Sequence, residues 1–164
     1  MRILGIDPGL ATIGLGLIDA SHPSDLTAVE WLTIETAAGL PLPERLHELY
    51  TDLRSYLAET KPELAVVERL YFQTNAKTAI DVAQARGVIL LALAECAIPI
   101  IEPTPLQMKL GITGDGKADK LQVQTMLLHL LHLTAIPTPD DAADALALAA
   151  YGAVHAQHDV ALPR

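Results

Sequence analysis

The sequence predicts an α/β domain, and three observations predict it. Short apolar runs with strand character, at residues 3–6, 12–18, 64–67 and 98–101, alternate with longer stretches of helical spacing. The runs at 3–6 and 64–67 end in Asp7 and Glu68, as in open sheets whose sites lie beyond the carboxyl ends of the strands. The chain has 164 residues, 51% of them apolar, which suits one domain with a sizeable core.

In order, the run Ile3, Leu4, Gly5, Ile6 ends at Asp7 and turns at Pro8-Gly9. The apolar stretch 12–19 follows at once, so the two form a hairpin with Asp7 at the tip of its first strand. A turn at 22–25 leads into a loosely alternating third strand at 26–35, which completes an antiparallel meander. Leu46, Leu49, Tyr50, Leu53 and Leu57 then fall at helical spacing. That helix stops near Lys61-Pro62, because the residue before proline disfavours helix. Leu64, Ala65, Val66 and Val67 do not alternate, which suits a strand buried on both faces, and Glu68 ends it.

Residues 69–75 read as a loop holding Tyr71 and Phe72 side by side in a chain only 4% aromatic. One of the two suits the core; the other is placed either there or stacked on unpaired bases. Residues 76–97 predict a long helix whose apolar face is broad enough to be buried on more than one side. A short strand at 98–101, a short helix at 105–110, a glycine-rich loop at 111–116 and an amphipathic helix at 118–131 follow. Thr138 suits an N-cap and Pro139 a first helical position, opening a final helix over 140–150.

The formal charge of −9 argues, as an average, against nucleic acid as a partner. Its distribution permits one. Residues 69–120 carry six bases against five acids, whereas residues 1–68 carry four against eleven. A DNA-binding face built from this middle segment would draw on Arg69, Lys77, Lys109, Lys117 and Lys120. The single cysteine, Cys96, allows no disulfide within the chain and fits a reducing cytosol. The first residues lack a signal peptide's pattern, and no stretch suits a bilayer span, so a cytoplasmic location is expected.

Asp140 and Asp141 have a structural reason to open a helix, since acids favour its N-terminal dipole. Asp144 does not, lying a turn inside an Ala/Leu helix made for burial and sharing a face with Asp141. Carboxylates gathered in this way repel and lose hydration unless cations sit between them. Asp7, Glu68, Asp141 and Asp144 are therefore candidate catalytic and metal-holding residues, and an all-oxygen set selects Mg²⁺ or Mn²⁺. Two such ions about 4 Å apart would serve the attacking and leaving oxygens of a phosphodiester. No Cys/His cluster of zinc spacing is present.

The segment Gly5-Ile6-Asp7-Pro8-Gly9, the strand end at Glu68, and Asp141-Ala142-Ala143-Asp144-Ala145-Leu146 together resemble the RuvC family of Holliday-junction resolvases. The likeness covers nearly the whole chain in order and length. It implies a ribonuclease H-like fold: a five-stranded mixed sheet, antiparallel in its first three strands with the last two parallel, and helices on both faces. The family's four metal-binding carboxylates map onto Asp7, Glu68, Asp141 and Asp144. Some members have His where this chain has Asp141, and Asp140 adjoins it; spacing to Asp144 favours Asp141. The resemblance further implies that Tyr71 stacks in the opened junction and that Lys109 and Lys120 neutralise scissile-strand phosphates. It places the 76–97 helix at the two-fold of a homodimer and implies a branch-migration motor as partner.

The expectation is a metal-dependent endonuclease that nicks two opposed strands of a four-way DNA junction in recombination and repair, leaving 5′-phosphate and 3′-hydroxyl ends. Asp-Pro-Gly after a strand also resembles the phosphate loop of actin-like ATPases and sugar kinases, but those need two such domains. A ribonuclease H-like nuclease of ribosomal RNA precursors and a non-catalytic junction-binding module are the other readings. Cleavage of RNA would favour the first, and tight binding without metal-dependent cleavage the second.

Overall fold

Small and branched residues in the first 35 positions build three antiparallel strands, β1 (Arg2–Asp7), β2 (Thr12–His22) and β3 (Asp25–Glu35). The computed structural model describes residues 1–70 and 76–159, without the side chains of 76–78 and 157–159. The remaining elements are α1 (Leu42–Thr60), β4 (Leu64–Val67), α2 (Ala76–Glu95), β5 (Ile100–Ile101), α3 (Pro105–Thr113), α4 (Lys120–Leu130) and α5 (Asp140–Asp159). The five strands form one sheet in the order β3-β2-β1-β4-β5. β4 lies parallel to β1 and β5 parallel to β4, so the sheet is mixed as expected.

The two-residue period of β1 separates its faces. Leu4 and Ile6 pack with Leu49, Leu53 and Leu57 of α1 and with Ala85, Ile89, Ala92 and Leu93 of α2. Ile3 faces the other way, into a second core layer with Leu64, Val66, Ile18 and the apolar sides of α3, α4 and α5. Helices therefore cover both faces, and full burial of each large aliphatic side chain contributes about 1.5–3 kcal/mol. Val66 and Val67 of β4 belong to opposite layers, which explains its lack of alternation.

α5 lies directly on the sheet because the facing positions lack side-chain bulk. A β-carbon on Gly14 would stand 2.0 Å from the Asp141 carbonyl oxygen, and one on Gly16 2.5 Å from the Leu146 nitrogen. The helix answers with Ala142, Ala145 and Ala149, all fully buried.

Several element ends differ from expectation. The short helix continues through Gly111 to Thr113. Gly111 is a packing residue here: a β-carbon on it would come within 2.7 Å of the Tyr151 ring and of His155. Thr104 caps this helix, accepting from the Gln107 amide, while Asp119 with Gln122 forms the same reciprocal cap on α4. The last strand is confined to two residues, although Pro99 still accepts a hydrogen bond from Ala65 at 2.9 Å. The final helix opens one residue later than Thr138 would cap. Pro139 supplies the first accepting carbonyl, to Ala143 at 3.1 Å, and the Thr138–Pro139 bond is cis. The same helix runs on past Ala150 to Asp159, because Tyr151 and Ala153 continue its buried stripe. Among the described residues no helix is long and apolar enough to cross a membrane.

Candidate active site

Asp7 has the parity of Ile3 and Gly5, and Glu68 that of Leu64 and Val66, so the strand pleat turns both acids to the face covered by α5. Parallel pairing brings their backbones side by side: Ile6 is opposite Val67, and the Glu68 amide donates to the Ile6 carbonyl at 3.4 Å. Gly14 is opposite Asp7 on β2, and the start of α5 rests on that glycine. Asp141 and Asp144 are thereby delivered from α5 toward the two strand-end acids.

A cleft of about 280 Å³ opens at this point, lined by Asp7, Glu68, Lys109, Lys120 and Asp144 with an apolar floor that includes Met108 and Leu148. Lys109 comes from α3, and Lys120 is the first residue of α4. The Lys120 ammonium lies 2.7 Å from Asp140 and 3.1 Å from Asp144.

The electrostatics show an anionic cluster held with too little compensation. Burial, and then the neighbouring charges of Glu68, Asp144 and Asp141, push the Asp7 carboxyl up to about 7. Glu68 is raised by burial and by Asp144, against Lys109, which favours its charged form. Asp144 is raised chiefly by burial, with Lys120 opposing. Asp140 is absent from the charges acting on Asp7. Its side chain is 68% exposed and turned to Lys120, and of the cleft acids it acts on Asp144 alone, whereas Asp141 is half-buried and acts on both Asp7 and Asp144.

The donors are all carboxylate oxygens, the chemistry of a hard divalent cation, and a cation would offset both the burial and the repulsion that raise Asp7. The residues present fit such a group. Among the described residues no three acids close around one point as they stand, so their side chains must turn inward to share an ion.

The other sequence candidates are placed as follows. Asp141 sits beside the cleft but does not line it. Arg69 is exposed and lines a separate cleft of about 290 Å³ with Glu102, Gln107 and Tyr151. Lys117 is exposed outside both clefts, its amide bonded to Asp115. Tyr71 and the Lys77 side chain lie outside the described residues. Sequence reasoning missed two supports. Gly14 and Gly16 on β2 and Gly5 on β1 match the small residues at 142, 145 and 149, a legible signal. Arg86, counted only as a base of the middle segment, points inward to Glu102 and to the Glu68 carbonyl.

A mixed sheet with acids at the ends of adjacent parallel strands, and two more on the helix laid across them, defines a nuclease of the ribonuclease H-like fold. The family model described as Crossover junction endodeoxyribonuclease RuvC matches residues 3–151. The chain belongs to this RuvC family and is an enzyme of that class.

Relatives bearing that name include one from Desulfitobacterium hafniense, 50% identical over 91% of this chain and 90% of its own, and one from Chloroflexus aurantiacus, 49% identical over the same shares. The structure described as T. thermophilus RuvC in complex with Holliday junction substrate superposes with a TM-score of 0.90 at 30% identity, covering 96% of this chain and 95% of that one. The yeast mitochondrial Holliday junction resolvase Ydc2 shares the fold, with a TM-score of 0.67 at 18% identity over 94% of this chain and 78% of that one.

Proposed function

We propose that this chain resolves four-way DNA junctions in recombination and repair by nicking two opposed strands symmetrically, with 5′-phosphate and 3′-hydroxyl products. The observation that carries the reading is the convergence of Asp7, Glu68 and Asp144 in one cleft whose remaining charged lining residues are Lys109 and Lys120. RuvC-family nucleases are metal-dependent. In this chain Asp7, Glu68, Asp141 and Asp144 are the residues that would hold Mg²⁺ or Mn²⁺, two ions per site. Bound there, such ions supply a polarised water and charge relief for the phosphodiester. Lys109 and Lys120 attract the flanking phosphates.

We propose further that the chain acts as a homodimer through α2. Ile80 is 61% and Leu91 54% exposed, eleven residues apart and so on one side of the helix. A two-fold enzyme suits a substrate with two equivalent strands. Tyr71, Arg69, Lys77 and Lys117 belong to the proposed DNA surface on the strength of their types and the family resemblance. A branch-migration motor as partner and a cytoplasmic location follow from the same reading.

The test uses a synthetic four-way junction and a linear duplex of the same sequence, each with EDTA, Mg²⁺ or Mn²⁺. Paired nicks in the junction alone, and only with metal, are expected. Tight junction binding without cleavage in any condition would overturn the enzymatic reading.

A further inference from the structure

Beyond the acids themselves, the structure contains a device that holds one of them. Glu68 stands just past the end of β4, where the ladder to β1 has run out. Its amide reaches the Ile6 carbonyl only at 3.4 Å, longer than an ordinary backbone hydrogen bond. Its carbonyl, by contrast, accepts from the Arg86 Nε at 3.0 Å. The same guanidinium is ion-paired through its terminal nitrogen to the Glu102 carboxylate. Glu102 follows β5, the strand next to β4, and Arg86 comes from α2. One planar fork therefore ties together a helix and two strand ends at the residue that enters the cleft. The Arg86 side chain is only 15% exposed, so this link is not a solvated surface pair. Beside it, the Arg69 amide donates to Pro103 at 2.8 Å, joining the same two chain segments.

We infer that Arg86 is a positioning residue for the Glu68 carboxylate, with Glu102 as its anchor, so that loss of this link weakens divalent-metal binding although Arg86 bonds Glu68 only at its main chain. The inference rests on the reading of Glu68 as an ion-holding carboxylate. Arg86 fixes the main chain from which the Glu68 side chain extends, and Glu102 fixes the plane of the guanidinium. Lysine can keep the charge toward Glu102, but its three donors sit on one nitrogen and cannot span both partners as Nε and the terminal nitrogen of Arg86 do.

The experiment is a titration of the full chain with Mn²⁺ alone, following free ion by electron paramagnetic resonance, with thermal unfolding recorded for every variant. Arg86→Met is expected to weaken Mn²⁺ binding about tenfold or more, the usual effect of removing a partner that orients a metal ligand. Arg86→Lys should recover part of that loss. Glu102→Gln should weaken binding by about threefold, and the double variant should bind no more weakly than Arg86→Met, because both changes break one link. Mn²⁺ binding by Arg86→Met within twofold of the unchanged chain, while Glu68→Gln is clearly weakened, would overturn the inference and leave the reading of Glu68 intact. Equal binding by Glu68→Gln and the unchanged chain would overturn both. If Arg86→Met does not fold, Glu102→Gln decides: weakened binding supports the link, and unchanged affinity overturns it.

Discussion

The main-chain carbonyl of Asp141 occupies the place a β-carbon would take on Gly14, 2.0 Å from that position. Gly14 is in turn the cross-strand neighbour of Asp7. The absence of one methyl group on β2 therefore sets how closely the acids of α5 approach the acid of β1.

Replacing Gly14 by alanine should push α5 off the sheet. Overpacking against a backbone carbonyl costs about 1–3 kcal/mol, and Tm should fall by several degrees, about 2–4 °C for each kcal/mol. Metal-dependent nicking should fall more than stability accounts for, because Asp141 and Asp144 move away from Asp7. Gly87→Ala is the contrast. That glycine sits in α2 with nothing within 4 Å of an added β-carbon. Alanine there should stabilise the single chain by about 0.5–1 kcal/mol; because Gly87 shares the face of Ile80 and Leu91, pairing through α2 would reduce that gain.

Acid should stabilise the metal-free protein through this site. Asp7 has its pKa raised to about 7 when folded, so it binds its proton more tightly in the fold than in the unfolded chain. Its contribution is full below about pH 4 and is lost as pH rises through about 7. Glu68 and Asp144 are raised in the same direction and add to it. In EDTA, Tm should rise as pH falls from 8 to 5. Asp7→Asn should flatten that slope, raise Tm at pH 8, keep junction binding and abolish cleavage. A Tm that falls from pH 8 to 5 would contradict the assignment of repulsion at this cluster. Added Mg²⁺ should raise Tm at pH 8 and have little effect at pH 5.

Asp140 and Asp141 are neighbours with different surroundings, and their amide variants should differ. Asp141→Asn is expected to lower nicking by about a hundredfold, the upper end of the range for disturbing a metal site. Asp140→Asn removes an exposed partner of Lys120 and should cost no more than about fivefold, since exposed ion pairs contribute about 0–1 kcal/mol. Single-turnover cleavage at saturating Mg²⁺ measures both; equal losses would reassign the metal-holding role.

Lys120→Ala removes the cation next to Asp140 and Asp144. Junction cleavage should fall by about tenfold, as for loss of one positioned charge-assisted contact of about 1.5 kcal/mol. Its dependence on Mg²⁺ concentration should not steepen. Unchanged cleavage would return Lys120 to a surface role.

Much of the fold was legible because its signals are local. Proline at 62, the run at 64–67, the turn at Pro8-Gly9 and the spacing of Leu49, Leu53 and Leu57 each depend on a few adjacent residues. Element ends were less so. Gly111 reads as a loop residue until α5 is seen against it, and the two-residue β5 is defined only by pairing with β4.

By itself the sequence determined the fold class and the family, and it put forward Asp7, Glu68, Asp141 and Asp144 as the acids of the proposed site. Acids at two strand tips and a pair on one face of an apolar helix are costly unless paired, hydrogen-bonded or bound to an ion, and their order along the chain points to one family. Only the tertiary structure decided how they meet. Parallel pairing of β1 with β4 sets Asp7 beside Glu68, and bare glycine positions on β2 let α5 close down upon them. Arg86, eighteen residues from Glu68, secures that strand end through its carbonyl. These are contacts between backbones and distant elements, and hydrophobic periodicity carries no record of them.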